Sequence, residues 1–453
     1  MKSQHAMEEL RTSLTAHRGP LMRRCALAAA AGLTLAVGHA AIVPHGLKRF
    51  ALAYLVAVVF VLSLSLGALF FVFIQHLSRA GWSVLIRRLA EAAAANMLVV
   101  ALLFVPVAGS VAIGSTIIYP WAVWHVPDAH THDGADHSAS TTIAEDGHDT
   151  HSAHGEPAGH AEDAPAYHHQ HLDGLTLHKR PWLNPGLFLV RVVIYFTLWT
   201  ALGWWYWRQS RRQDDSGDAA HTVRCETWAG PTALVYALSF ALASADLLMS
   251  LNPHWYSAVL CVYVFAGAVI GALAMLIVLV LALQRAGLLT MAIGIEHLHD
   301  LAKLLFAFVF FWGYIAYSQY MLLWYAHLPE TVTWLVHRGA STATPNAWSI
   351  LLLVLLVGHF VLPFAGLMSR HPKRRRFWLM FWAVWLLVTH WLDLVWLVMP
   401  ELGAQLVLGG VEVGLLFCVI AVYAAGLFHR LADGPLVPVG DPRLNESLAF
   451  ENI

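Results

Sequence analysis

Charge is scarce in this chain. Only 12% of its 453 residues are Asp, Glu, Lys or Arg, about half the share found in soluble domains. Cysteine is scarcer. Cys25, Cys225, Cys261 and Cys418 are scattered and form no CxxC pair, which argues against an iron–sulfur cluster, a c-type haem or a disulfide framework within the chain. There is no haem-ligating pair, no CxxCH and no nucleotide-binding glycine loop. The formal net charge of −1 leaves no basic excess for nucleic acid.

Apolar residues fill the space. They make up 58% of the chain, and the mean hydropathy is +0.60. An all-α polytopic membrane protein follows. A crossing needs about 20 mostly apolar residues, and ten segments qualify: 25–44, 50–75, 92–113, 185–208, 230–250, 254–283, 298–325, 348–370, 376–397 and 402–430. Many of the Trp and Tyr residues sit near the ends of these segments, as an interfacial belt requires.

Lys and Arg set the expected orientation. With the N-terminus in the cytoplasm, most of them fall inside, including Arg23, Arg24, Arg87, Arg88 and the run Arg370, Lys373, Arg374, Arg375 and Arg376. Lys48, Arg49, Lys179, Arg180 and Arg338 fall outside. Both termini are thus expected in the cytoplasm. The expected organisation is a cytoplasmic tail (1–24), transmembrane helices 1–3 (25–113), a periplasmic loop (114–184), helices 4–10 (185–430) and a cytoplasmic tail (431–453). Arg23-Arg24, an apolar run and Gly38-His39-Ala40-Ala41 also fit a signal peptide. The run reaches Val43, longer than the usual core of such a peptide, which favours a retained helix.

The loop at 114–184 is rich in His, Asp, Ala and Gly, without helical or strand period. His is a common ligand of Zn, Ni and Cu, yet these residues show no fixed ligand spacing. No metal site is assigned to them.

Ionisable groups inside the spans carry the functional reading, because each is costly in lipid. In His299–Glu330 the polar residues share one side of a 3.6-residue helix. Glu296, Asp300, Lys303, Tyr314, Ser318 and Tyr325 lie within a stripe about 60° wide. Asp246 ends the fifth span, and His254 opens the sixth after Asn252-Pro253. His390 and Asp393 share a face at i, i+3. His359 and Glu412 are expected near mid-membrane. Sorted by depth, Asp300, Lys303, Tyr314, Ser318, His359 and Glu412 form a ladder suited to a proton path. Asp246, His254, His390 and Asp393 form an outer cluster suited to quinone binding or proton exit, since quinol oxidation releases two protons and needs a base in reach. Each group also has a structural reading. Asp300 and Lys303 can neutralise one another, His359 can be a core histidine, Asp246 can tie its turn, and His390 and Asp393 can simply pair.

Four segments carry a resemblance. They are Ser244–Ser257 (SADLLMSLNPHWYS) running on to Val262–Gly267, the helix from His299 to Glu330, Phe360–Phe364 ahead of Ser369-Arg370 and the basic turn, and Leu392–Pro400 (LDLVWLVMP). Together they resemble the second quinone-binding membrane subunit of alternative complex III, within the NrfD-like and polysulfide-reductase membrane subunits. The resemblance covers about residues 185–430. The first three spans match in pattern only, and the His-rich loop departs from the family. It implies two four-helix bundles plus extra helices, with no redox cofactor in this chain and a quinone or quinol as substrate. It also implies partners: an iron–sulfur subunit, multihaem cytochrome c subunits and a second NrfD-like membrane subunit. The expected location is the bacterial inner membrane. Two other classes stay open on the residues alone: a divalent metal-ion transporter with a His-rich loop, and a non-catalytic membrane anchor for peripheral redox subunits.

Overall fold

The computed structural model describes residues 13–123, 178–340, 345–403, 405–406 and 408–451. Most of the His-rich insertion lies outside them. Among the described residues, ten helices are long and apolar enough to cross a membrane. The protein is an all-α, multi-pass membrane protein in architecture.

Two helices form the centre. α2 (Gly46–Leu77) and α7 (Leu260–Arg285) are apolar on every side through their middle turns, as suits either a bundle interior or lipid, and here they take the interior. In their most apolar windows 94% and 83% of residues are buried. Around α2 pack α3 (Val84–Ala95) with α4 (Met97–Ala112), α5 (Pro185–Ser216) and α6 (Ala220–Leu247), giving one four-helix bundle. Around α7 pack α8 (Ile295–Ala326), a broken crossing and α13 (Arg376–Val398), giving a second. The short α9 (Pro329–His337) precedes the broken crossing, which consists of α10 (Ala347–Leu355), a π-helical turn (Leu356–Val361) and α11 (Leu362–Met368). A short α12 (Arg370–Arg374) leads into α13. The bundles meet along α2 and α7. α1 (Arg18–Ala40) and α14 (Gly410–Ala432) flank them, and α15 (Leu444–Leu448) closes the chain.

The third crossing begins at Val84, before the apolar run of 92–113 starts. Arg87, Arg88 and Glu91 ride into the fold because they are neutralised there. Arg87 pairs with Glu91 (3.2 Å) and with Asp441, and Arg88 pairs with Asp214 (2.8 Å) and Glu91 (3.5 Å). Buried ion pairs are tolerated only with such mutual satisfaction. The crossing breaks at Asn96, whose side chain donates to the Tyr423 carbonyl at 2.9 Å.

The eighth crossing changes pitch for a different reason. Pro363 has no N–H to bond the carbonyl of His359, and its ring crowds that turn. The preceding six residues widen into a π turn, a geometry that recurs at functional sites. The Trp385 indole donates to the Gly358 carbonyl at 2.6 Å. The wide turn leaves His359 fully buried, facing the bundle interior.

Candidate functional site

His390 and Asp393 lie on the face of α13 turned toward α2 and α7, both buried. The Tyr263 hydroxyl donates to Asp393 Oδ1, and the Trp312 indole of α8 lies against the same carboxylate. One turn deeper, His390 Nε2 meets Ser63 Oγ of α2 at 2.8 Å. Ser63 also donates to the Phe60 carbonyl at 2.7 Å. A hydroxyl has one proton. That proton goes either to Phe60, with Ser63 accepting an Nε2–H, or to Nε2; the bond occupies Nε2 either way and leaves Nδ1 over. That Nδ1 is buried and without a hydrogen-bond partner.

Two glycines make room for the imidazole. A Cβ at Gly267 would stand 3.0 Å from His390 Cε1, and one at Gly271 would stand 3.0 Å from His390 Cδ2. With Tyr263 they repeat every four residues, so one face of α7 is cut to this side chain. The π turn adds His359. Its ring stacks on Trp312 (centroids 4.2 Å apart, planes 9° apart) and stands edge-on to His390 at 6.4 Å. Neither of its nitrogens has a well-formed hydrogen bond; the Thr389 main chain makes only a loose contact. Ser63 also lines an apolar cavity, together with Val59, Leu62, Leu66, Phe240, Leu247 and Val264. Ser63 is therefore common to the cavity and to the His–Asp cluster.

The structure thus brings His359, read from sequence as a separate mid-membrane group, to the i, i+3 pair His390 and Asp393. It separates the others. Asp246 is held by Arg191 through two hydrogen bonds (2.7 and 2.9 Å), by the Trp182 indole (2.9 Å) and by the Tyr195 hydroxyl (2.8 Å). Every acceptor direction of the carboxylate is occupied, so this group is a strut between α5 and α6. His254 sits in the following corner, half-buried, with its backbone N–H on Asn252 Oδ1. The same corner pins both ends of the long insertion: Trp121 donates to the Ser250 carbonyl (2.9 Å), and Lys179 to the Pro253 carbonyl (2.5 Å).

Glu412 is not at mid-membrane. It is the third residue of α14, and its carboxylate takes two hydrogen bonds from Arg49 at the start of α2, at 2.6 and 2.7 Å. It also accepts from the Gly409 N–H at 2.9 Å, as an acid at a helix N-terminus does. Asp300 and Lys303 pair at 2.7 Å, with Lys303 48% exposed. Tyr314 and Tyr325 are exposed as well, and the Ser318 hydroxyl bonds back to the Tyr314 carbonyl. The stripe on α8 faces away from the bundle, so the ladder expected from depth alone is not assembled inside this chain.

From sequence, Tyr263, Gly267 and Trp312 stood only within segments that carry the resemblance, with no site role, and Ser63 and Gly271 were not singled out. The spacing of Tyr263, Gly267 and Gly271 was the available signal. Ser63 gave none, because a serine in a long apolar helix commonly satisfies itself on its own backbone. Among the described residues, no three His, Cys, Asp or Glu side chains gather into a metal-holding group. Compared with known proteins, the chain matches no family model and no curated sequence.

Proposed function

We propose that this chain is an integral membrane subunit of a respiratory quinol:cytochrome c oxidoreductase complex, and that it handles quinol and its protons at the Ser63–His390–Asp393–Tyr263 cluster. The observation that carries the reading is a buried imidazole whose Nδ1 has no hydrogen-bond partner, beside a buried carboxylate and hydrogen-bonded to Ser63, which also lines an apolar cavity. A quinol head and its isoprenoid tail need apolar walls and one or two well-placed polar groups. Oxidation releases two protons and two electrons. His390 and Asp393 are the groups able to take the protons, directly or through Ser63.

The electrons leave through groups held by partners. An iron–sulfur subunit, multihaem cytochrome c subunits and a second NrfD-like membrane subunit are the partners proposed. The location proposed is the bacterial inner membrane, with both termini in the cytoplasm.

The test is Asp393→Asn in the assembled complex, assayed as quinol:cytochrome c reductase. Asn keeps the shape and can still accept from Tyr263, but it cannot hold a proton in the same way. A large loss of turnover with normal assembly is expected. Wild-type turnover together with wild-type proton release overturns the reading.

A further inference from the structure

The turn joining α11 to α13 carries more positive charge than its pairing explains. Arg370, His371, Lys373, Arg374, Arg375 and Arg376 crowd one short segment. Arg374 is paired with Glu296 of α8. Arg370, Arg375 and Arg376 are exposed and have no carboxylate partner among the described residues. Lys373 is buried and lies over the Phe306 ring, its Nζ 4.8 Å from the centroid. Burial and then the facing Lys303 ammonium push its pKa below the ordinary lysine range.

Directly beside this turn the surface is apolar. Phe377, Phe381, Val384 and Val388 are exposed along one face of α13, with Trp378 next to them at the boundary. Charge at the end of a crossing and a bare apolar track running from it match the two parts of a phospholipid. Basic clusters of this size beside a transmembrane helix attract anionic headgroups.

We propose that the α11–α13 turn is a binding site for an anionic phospholipid, with the phosphodiester held by Arg370, Arg375, Arg376 and Lys373 and the acyl chains lying along Phe377, Phe381 and Val384. The site is remote from the His390 cluster and independent of the function proposed above. An acidic face of a partner protein is the rival occupant. The apolar track decides for lipid, because it continues from the charged turn into the membrane-spanning part of α13.

The test uses the purified full chain, stripped of lipid in a zwitterionic detergent. Phosphatidylglycerol, phosphatidylcholine and inorganic phosphate are titrated separately, and the shift in thermal unfolding midpoint is followed. Saturable stabilisation by phosphatidylglycerol alone is expected. The variant Arg370→Gln/Arg375→Gln/Arg376→Gln is expected to weaken it at least about tenfold. A control that removes three exposed arginines elsewhere, Arg212→Gln/Arg224→Gln/Arg285→Gln, is expected to leave it unchanged.

Equal stabilisation by phosphatidylcholine overturns the proposal, as does equal loss in the control. Stabilisation by inorganic phosphate as strong as by lipid assigns the charges to a free anion and overturns the lipid. Unchanged phosphatidylglycerol binding in the first variant leaves the turn to an acidic protein and also overturns it. Should that variant fold poorly, native mass spectrometry of the wild-type chain from mixed-lipid nanodiscs decides. Preferential retention of phosphatidylglycerol supports the site, and equal retention of both lipids refutes it.

Discussion

Ser63 on α2 and His390 on α13 are joined by a 2.8 Å hydrogen bond across the contact between the two bundles. The residues are far apart in sequence, and each belongs to a different four-helix unit. Because Ser63 can also donate to Phe60 within its own helix, the position of the imidazole against Ser63 bears on which ring nitrogen carries the proton. Movement of one bundle against the other would therefore change the chemistry available at His390. That coupling of packing to proton placement underlies the first prediction.

Ser63→Ala and Asp393→Asn should both lower quinol oxidation in the assembled complex, but unequally. Asp393→Asn removes a proton acceptor, and general-base losses run at about 10²-fold or more. Ser63→Ala removes only the group that orients His390. Losing one buried hydrogen-bond partner costs about 1–3 kcal/mol, so a loss of about tenfold in turnover is expected. Steady-state turnover with quinol and cytochrome c measures both. A Ser63→Ala effect larger than that of Asp393→Asn would mean that Ser63 itself contacts the substrate.

Asp246 should behave as a structural residue. It is fully buried, with Arg191 on two of its oxygen directions and Trp182 and Tyr195 on the others. Removing one member of a buried ion pair strands the other and costs about 3–5 kcal/mol, whereas replacing both with apolar residues is often neutral. Arg191→Leu and Asp246→Leu should each lower the thermal midpoint sharply in detergent, and the double variant should recover most of the loss. A double-mutant cycle without coupling would show that the pair does not hold α5 to α6.

Much of the fold was legible in the sequence, because lipid leaves few solutions. Apolar runs of about 20 residues must be helices, and all ten were found from composition. The third crossing was entered too late, since Arg87, Arg88 and Glu91 read as loop residues until their mutual pairing is seen. The site was half legible. His390 and Asp393 announce themselves as i, i+3 ionisable groups in a span. His359 joins them only because Pro363 forces a π turn, and that rotation has no simple trace in hydropathy. Depth misled at Glu412, where the helix starts at Gly410 and leaves the acid at its N-terminus. Angular position misled on α8. The polar stripe from Asp300 to Tyr325 was real, but periodicity gives the width of a face and not its direction.

Gly271→Val should harm the site more than the fold. The added Cβ would stand 2.9 Å from Leu64 Cδ2 and 3.0 Å from the His390 ring, so the imidazole must shift off Ser63. Overpacking of this kind costs about 1–3 kcal/mol, which the rest of the bundle can absorb. The expected result is assembled complex with a modestly lowered thermal midpoint and severely reduced turnover. Gly109→Ala is the control. Its added Cβ meets nothing within 4 Å, and alanine is the better helix former by about 1 kcal/mol, so stability should hold or rise and turnover should stay unchanged.

The first helix is attached differently from the rest. Only 11% of the apolar window in Thr15–Ala40 is buried, and the helix lies mainly against α14. Its backbone and that of α14 approach closely. A Cβ at Gly32 would stand 2.6 Å from the Gly414 carbonyl, and one at Gly414 would stand 2.5 Å from the Gly32 carbonyl. Small residues at a crossing permit such approach, and association inside lipid depends on it because apolar bulk adds no driving force there. Gly32→Leu should therefore release α1 from the bundle. In detergent, limited proteolysis should clip the chain between Ala40 and Gly46 in the variant and spare it in the wild type. Quinol oxidation should survive, since α1 contributes no residue to the His390 cluster. Persistence of the wild-type cleavage pattern would mean that contacts other than the Gly32–Gly414 crossing hold α1 in place.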